Sequence, residues 1–381
     1  MIVRETMILK HAQLFVDGKF QRLDMAVLGN KITQIAPSIE GEDAVDCTDH
    51  MVIPGLLDIH THGCIGHDWA TTDAAGYREM CAFYARNGVT SLLATFVTVP
   101  YATYMEKLPA LATYVEEGHG GARIEGIHLE GPYFAPAKKG AHNADDLRLP
   151  NLEEIRALLG AAKGHVRLLA IDPVQPGAVD AIRTLAAESS CTLSLAHTVA
   201  TFDAAMAAFE AGATHVTHLF NAMAPLHHRE PGLAGAAISH KSAAVELITD
   251  GVHVHPSFIA GLFRALSERL VIISDSLSAT GLPDGKYALG NLDILIENGR
   301  ATLPDGTLAG STITLFEGLR RAVREGAPLE QAILSATAIP ARAVGIDHRV
   351  GLLAPGRRAD FLLLDRALNL KSVYLNGALV G

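Results

Sequence analysis

Two histidines separated by one residue close the apolar run Val52-Ile53-Pro54-Gly55-Leu56-Leu57-Asp58-Ile59-His60-Thr61-His62-Gly63. The segment after the Pro-Gly turn has strand composition. Strand side chains alternate with a period of 2, so His60 and His62 point to the same side. Two neutral imidazoles on one face make half of a divalent-metal site for zinc, iron or nickel. In a chain with 18 histidines, the plainer alternative is two unrelated surface residues. Further polar residues end apolar runs downstream: Glu130 in GIHLEGPY, His197 in LSLAHT, His218 in VTHLFNAM and Asp275 in VIISDS. Each alone reads as a satisfied polar residue at a strand end. Carboxylates and imidazoles converging on one rim need a cation or hydrogen bonds to compensate them, so the set as a whole favours a metal site.

Such convergence requires a scaffold that presents successive strand ends on one face. From Met51 onward, β-like runs alternate with amphipathic stretches, the signal of a parallel sheet. The expected strands after the first are 90–98, 124–129, 166–171, 192–196, 215–219, 244–249 and 270–274, with helices over 72–87, 103–117, 152–162, 178–188 and 202–211. Eight strand-helix units predict an α/β fold, a closed (β/α)₈ barrel over residues 51–345 with its active residues at the C-terminal strand ends. An open doubly wound sheet fits the same pattern. The Gly-rich stretch 282–310, with hairpin signals at Asp284-Gly285 and Asp305-Gly306, reads as an insertion before helices resume at 314–325 and 329–343. Residues 1–50 and 346–381 carry short strands and turns, most simply two halves of one small β-sandwich domain.

Composition narrows the function. The 381 residues suit a barrel of roughly 250 residues plus a smaller module. A formal charge of -10 without any Lys/Arg-rich block argues against nucleic-acid or anionic-membrane partners, so an anionic small substrate needs a local basic pocket. Arg4, Glu5, Lys10 and Asp17 interrupt the N-terminal apolar residues, and no apolar run approaches ~20 residues, so a cytoplasmic protein is expected. Cys47, Cys64, Cys81 and Cys191 lack C-x-x-C spacing and read as reduced residues in or near the core.

The segments PGLLDIHTHG, GIHLEGPY, KKGAHN, LAHT, THLFNAMAPLHHREPG, ITDGVHVHP, LAGS and GLLAPGRRADFLLLD, with the ISDS strand end, extend this reading. Nearly end to end, the chain resembles the N-acetylglucosamine-6-phosphate deacetylases of the amidohydrolase superfamily. The resemblance implies a (β/α)₈ barrel with a split β-sandwich. The implied reaction is hydrolysis of N-acetyl-D-glucosamine 6-phosphate to D-glucosamine 6-phosphate and acetate, in amino sugar catabolism. It places a main divalent metal on Glu130, His197 and His218, and a second on His60 and His62 with Glu130 bridging. One or two ions per subunit are implied, zinc first, with Fe2+ or another transition metal as alternatives. Asp275 is implied as the proton shuttle and His142 as the group facing the oxyanion. Arg229 and His253 are implied as phosphate contacts, and Ala141, Asn221, Ala222, Leu308, Ala309, Gly310 and Ser311 as sugar contacts. A homodimer is implied, because relatives complete the edge of the site from a second subunit. The alternatives are an N-acetylgalactosamine-6-phosphate deacetylase or another amidohydrolase acting on a small amide. A barrel that had lost its site should lack ligands or the Asp, and none is missing.

Overall fold

Val89–Phe96, reading VTSLLATF, is buried at every position, as a parallel strand covered on both faces must be. It belongs to a ring of strands in a computed structural model that describes residues 6–118 and 120–380. Parts of the expected head and tail, at 1–5 and 381, lie outside the described residues, as do Arg4 and Glu5 of the N-terminal reading. The barrel strands are β1 (Leu56–Thr61), β2 (Val89–Phe96), β3 (Arg123–Glu130), β4 (Val166–Ile171), β5 (Thr192–Leu195), β6 (His215–Val216), β7 (Ala244–Ile248) and β8 (Leu270–Ile273). They pair in parallel in that order. The seam between β8 and β1 closes at the rim, where Asp275 N donates to His60 O at 3.0 Å and His62 N to Ser276 O at 2.7 Å. The closed-barrel expectation therefore holds against the open sheet.

Local chemistry starts the covering helices. The Asp73 carboxylate accepts from Ala75 N and Gly76 N at the head of Ala74–Arg86. Thr314 and Glu317 form a reciprocal capping box on Leu315–Arg324. β6 stops at Val216, short of the expected 219, because His218 turns into the left-handed region at φ 29° and donates its N–H to Glu246 Oε2 at 3.1 Å.

The chain ends meet in one sheet. Thr6–Val16, Lys19–Leu28, Lys31–Ala36 and Ala44–Asp46 join Phe361–Leu364, Leu370–Leu375 and Ala378–Leu379 through Met51–Pro54. Met51–Pro54, expected at the start of the barrel, pairs with Phe361–Leu364 and with Gln13 and Leu14 instead. The two halves form one continuous eight-stranded sheet rather than two separate ones. An irregularity between Leu9 and Ala12 lets Thr6–Val16 change partner from Ala44–Asp46 to Met51–Pro54. Met25, Val27 and Ile32 from the head share one core with Val52, Phe361 and Leu363.

The stretch expected as an insertion forms a three-stranded antiparallel sheet, Gly285–Leu289, Leu292–Glu297 and Arg300–Thr302. Its strands are joined at Gly290-Asn291 and Asn298-Gly299; Asp305-Gly306 forms the turn that follows, where Thr302 bridges Leu308 antiparallel and Gly306 N donates to Leu303 O at 2.9 Å, whereas Asp284-Gly285 is not a hairpin turn. The Asp284 carboxylate instead accepts from Asn298 N and Gly299 N across the sheet. All four cysteines are free and buried. Among the described residues, no helix is long and apolar enough to cross a membrane.

Candidate metal centre

The Glu130 carboxylate, at the end of β3, lies between two groups of candidate donors. Its Oε1 is 2.9 Å from His218 Nε2 and 3.2 Å from His197 Nε2, and those nitrogens are 3.1 Å apart. Its Oε2 is 3.1 Å from His62 Nε2. The second group joins His60, His62 and Asp275. The two Nε2 atoms are 3.3 Å apart, with Asp275 Oδ1 at 3.5 and 3.3 Å from them. All six side chains are buried.

Ring orientation shows what this cluster suits. His197 Nδ1 donates to Lys138 O at 2.8 Å, leaving Nε2 as a lone pair aimed at Glu130 and His218. His60 Nδ1 is tied to Glu246 Oε2 at 2.9 Å. Lone pairs facing a carboxylate at such distances repel one another unless a cation lies among them. Imidazoles that give their second N–H to a carbonyl or carboxylate are oriented as metal ligands are. Both donor groups therefore fit a divalent metal ion. Asp275 stands among these donors, a placement beyond the proton shuttling implied at the level of sequence.

The same crowding sets the charges. Burial pushes Glu130 and Asp275 up, but His60 and hydrogen bonds from neighbouring histidines hold both below their ordinary values. Burial alone would depress His62, yet hydrogen bonds to Asp275 and Glu130 override it and raise the imidazole to about 9. Protons and a metal thus compete for this ligand. His142 is pushed down to about 4 by burial and by His197, so its ring is neutral. Its Nδ1 accepts from Thr98 N at 3.2 Å, which puts the ring proton on Nε2, 3.5 Å from Glu130 Oε2.

The backbone is strained where it presents these groups. His197, His218 and Asp275 have φ of 46°, 29° and 49°, and Phe220 and Ala222 follow at 75° and 50°. A non-glycine residue in this region costs ~1–3 kcal/mol and persists only where its surroundings enforce it, commonly at functional sites.

A cavity of about 370 Å³ opens from the donors. Ala141, His142, Asn221, Ala222, Leu308 and Gly310 line it. His253 lines it too, with Nδ1 2.7 Å from Asp250 Oδ2, so Nε2 is left for a ligand. Burial pushes His253 down, but Asp250 outweighs it and raises the ring above the ordinary histidine value. Asn221 gives its amide N–H groups to His218 O and Leu219 O, freeing Oδ1. Three expected contacts stand elsewhere. Arg229 is exposed, bonds His228 Nε2 at 2.8 Å, and is absent from the cavity wall of its own chain. Ala309 is fully buried, and the Ser311 hydroxyl donates to Ser274 O while its N–H donates to Asp275 O. Ala309 and Ser311 therefore support the rim rather than face the cavity. A larger depression, about 730 Å³, includes Thr214, Ala244 and Arg269 at the opposite strand ends, and its Arg269 is committed to backbone carbonyls.

The Amidohydrolase family pattern matches residues 51–380. The chain belongs to the amidohydrolase family. That family is metal-dependent, in accord with the two donor groups. This amidohydrolase is 36% identical over 375 residues to the N-acetylglucosamine-6-phosphate deacetylase of Vibrio furnissii, covering 97% of this chain and 94% of the relative. It is 37% identical over 350 residues to the N-acetylgalactosamine-6-phosphate deacetylase of Escherichia coli O157:H7, covering 91% of each. A mutant N-acetyl-D-glucosamine-6-phosphate deacetylase from Mycobacterium smegmatis, in complex with N-acetyl-D-glucosamine-6-phosphate, superposes with a TM-score of 0.93 at 35% identity, covering 99% of this chain and 100% of that one.

Several residues that shape the site escaped the sequence reading. Glu246 is a single acid within the apolar strand AVELI, a signal that could have found it. Asp250 lies three residues before His253, a helical-turn spacing that allows the pair to bond. Gly140, at φ 55°, lies against His197, where an added Cβ would come within 3.0 Å of Cε1. The Thr98 N–H and the Lys138 carbonyl carry no side-chain signal at all.

Proposed function

We propose that this amidohydrolase hydrolyses N-acetyl-D-glucosamine 6-phosphate to D-glucosamine 6-phosphate and acetate. The observation that carries this reading is the pairing, in one cavity, of a buried donor set for a metal with His253, whose ring Asp250 holds above its ordinary value. The first end suits amide hydrolysis, and the second suits an anionic phosphate. Glu130, His197 and His218 would hold the main metal, and His60 and His62 a second, with Asp275 beside them. Zinc is the metal proposed. A bound divalent ion supplies Lewis acidity, lowering the pKa of a water toward ~7 and polarising a carbonyl. Asp275, ionised and facing the cavity, accepts the proton of the attacking water and delivers it to the leaving nitrogen, which departs poorly as an anion. His142 donates from Nε2 to the carbonyl oxygen as negative charge develops there. Its neutral state and the Thr98 N–H at Nδ1 keep that proton in place.

The protein acts as a cytoplasmic homodimer in this proposal, with Arg229, exposed and not part of the wall of its own cavity, serving the neighbouring subunit's phosphate. The relative of Escherichia coli O157:H7 supports a second reading, the galactosamine epimer as substrate. The test is amine release from both epimeric sugar phosphates, run beside elemental analysis of the same preparation. Turnover of at least one phosphorylated epimer, with one or two metal ions per subunit, is expected. Turnover of neither would overturn the proposal.

A further inference from the structure

We propose that Val97 and Leu289 form the wall that limits the length of the acyl group, making the inserted three-stranded sheet the gauge of acyl size. The inference rests on the deacetylase reading above and deepens it.

The placement follows from His142. Its Nδ1 accepts from Thr98 N, so Nε2 points into the cavity where an amide oxygen is to be met. The residue before Thr98 is Val97, 2% exposed and lining the same cavity. Leu289 ends the insertion strand Gly285–Leu289, is 3% exposed, and lines the cavity as well. The next residue, Gly290, lies over Val97 so closely that an added Cβ would come within 2.8 Å of Val97 Cγ1. An amide whose oxygen meets His142, and whose sugar runs toward Asn221 and His253, therefore presents its acyl carbon to two aliphatic side chains from different parts of the fold.

The wall is pinned. Gly290 N donates to Asp68 Oδ2 at 3.1 Å, and Asn291 Nδ2 donates to Asp146 Oδ2 at 3.1 Å. The Ser278 hydroxyl donates to Ala288 O. Asp68 is 5% exposed, and its other oxygen accepts from Ala70 N at 2.8 Å. Retreat of Leu289 to admit a longer chain would break these bonds in a closely packed region. An acetyl methyl needs no such retreat, whereas an added methylene must displace Val97 or Leu289.

The experiment uses the metal-loaded full-length enzyme and the N-acetyl, N-propanoyl and N-butanoyl forms of glucosamine 6-phosphate, with kcat/KM taken from amine release. The wild type should prefer acetyl. One methylene in an apolar pocket is worth roughly 10- to 200-fold, so Leu289→Ala and Val97→Ala should each raise the propanoyl-to-acetyl ratio by about tenfold or more. Leu308→Ala, which opens another part of the wall, should leave that ratio alone. A wild type indifferent to acyl length, an unchanged ratio in both variants, or an equal change in Leu308→Ala overturns the proposal. Where a variant turns over too slowly, its relative affinity for the acetyl and propanoyl compounds, by calorimetry, answers the same question: a shift toward propanoyl supports the wall and no shift overturns it. A wild type that releases amine from none of these compounds overturns the deacetylase reading, and this inference falls with it.

Discussion

Glu130 is the residue on which the two donor groups converge, with one oxygen toward His197 and His218 and the other toward His62. Glu130→Gln removes the only anion of the first group, so the metal content should fall by at least one ion per subunit and turnover with it. Elemental analysis showing the wild-type content would contradict this. Asp275→Asn keeps the shape but removes the proposed base, and kcat should fall about 10²- to 10⁴-fold, the usual range for general acid-base catalysis. A loss below tenfold would assign the proton transfer to another group. In the proposed phosphate site, His253 would make binding depend on pH. Asp250 raises its pKa and Asp275 adds to this, while Arg300 opposes it. A raised value means the cation, and its attraction for phosphate, is present below that value and lost as pH rises through it. KM for the phosphorylated substrate should climb on the alkaline side while KM for an unphosphorylated analogue stays flat. Asp250→Asn should move that climb to lower pH, and identical profiles for the two proteins would remove His253 from the phosphate site.

At the scale of elements, the site is a set of strand ends bent out of strand geometry. β5, β6 and β8 each give way to a residue with positive φ, and those residues are His197, His218 and Asp275. The strand-helix alternation and the period of 2 made the strand ends legible. The bends were not, because apolar composition sets where a strand lies and long-range bonds set where it stops. Gly310 shows the tightness at β8. At φ 51°, an added Cβ would meet Asp275 O at 2.9 Å and Leu277 Cδ2 at 3.1 Å. Gly310→Ala should therefore shift the end of β8 and lower kcat about ten- to a hundredfold, since displacements near 1 Å can cost that much. Metal analysis and kinetics on the same sample separate this from loss of the ion. Wild-type kcat would show that the rim can yield.

Across the whole molecule, the tail sheet is joined to the barrel by a buried ion network. Arg358 reaches Glu125 of β3 at 2.5 Å, Ser91 of β2 at 3.1 Å and Asp360 at 3.0 Å. Glu125 is 4% exposed. Removing Arg358 leaves Glu125 buried with only Arg349, at 3.6 Å, to balance it, so Arg358→Ala should destabilise the fold by about 2 kcal/mol, less than a fully stranded buried charge costs. Denaturant unfolding measures this, and kcat below the transition should hold. A loss under ~1 kcal/mol would place Arg358 with ordinary exposed ion pairs.

The sequence by itself determined the parallel strand-helix order, the residues at the strand ends and the chemistry they could share, because hydrophobic period and residue type are local properties, whereas the closing of the barrel rests on the long-range seam between β8 and β1. It also carried His142 and His253, through short motifs that keep neighbours together. Only the tertiary structure decided how the rings face, since His60 is oriented by Glu246, 186 residues away, and His142 by a backbone N–H 44 residues before it. It alone placed Asp275 among the donors, turned Ser311 away from the cavity, left Arg229 outside it, and set Leu289 of the insertion beside Val97 of the barrel. The reason is physical: a hydrogen bond or steric contact between segments distant in sequence leaves no periodicity in either one.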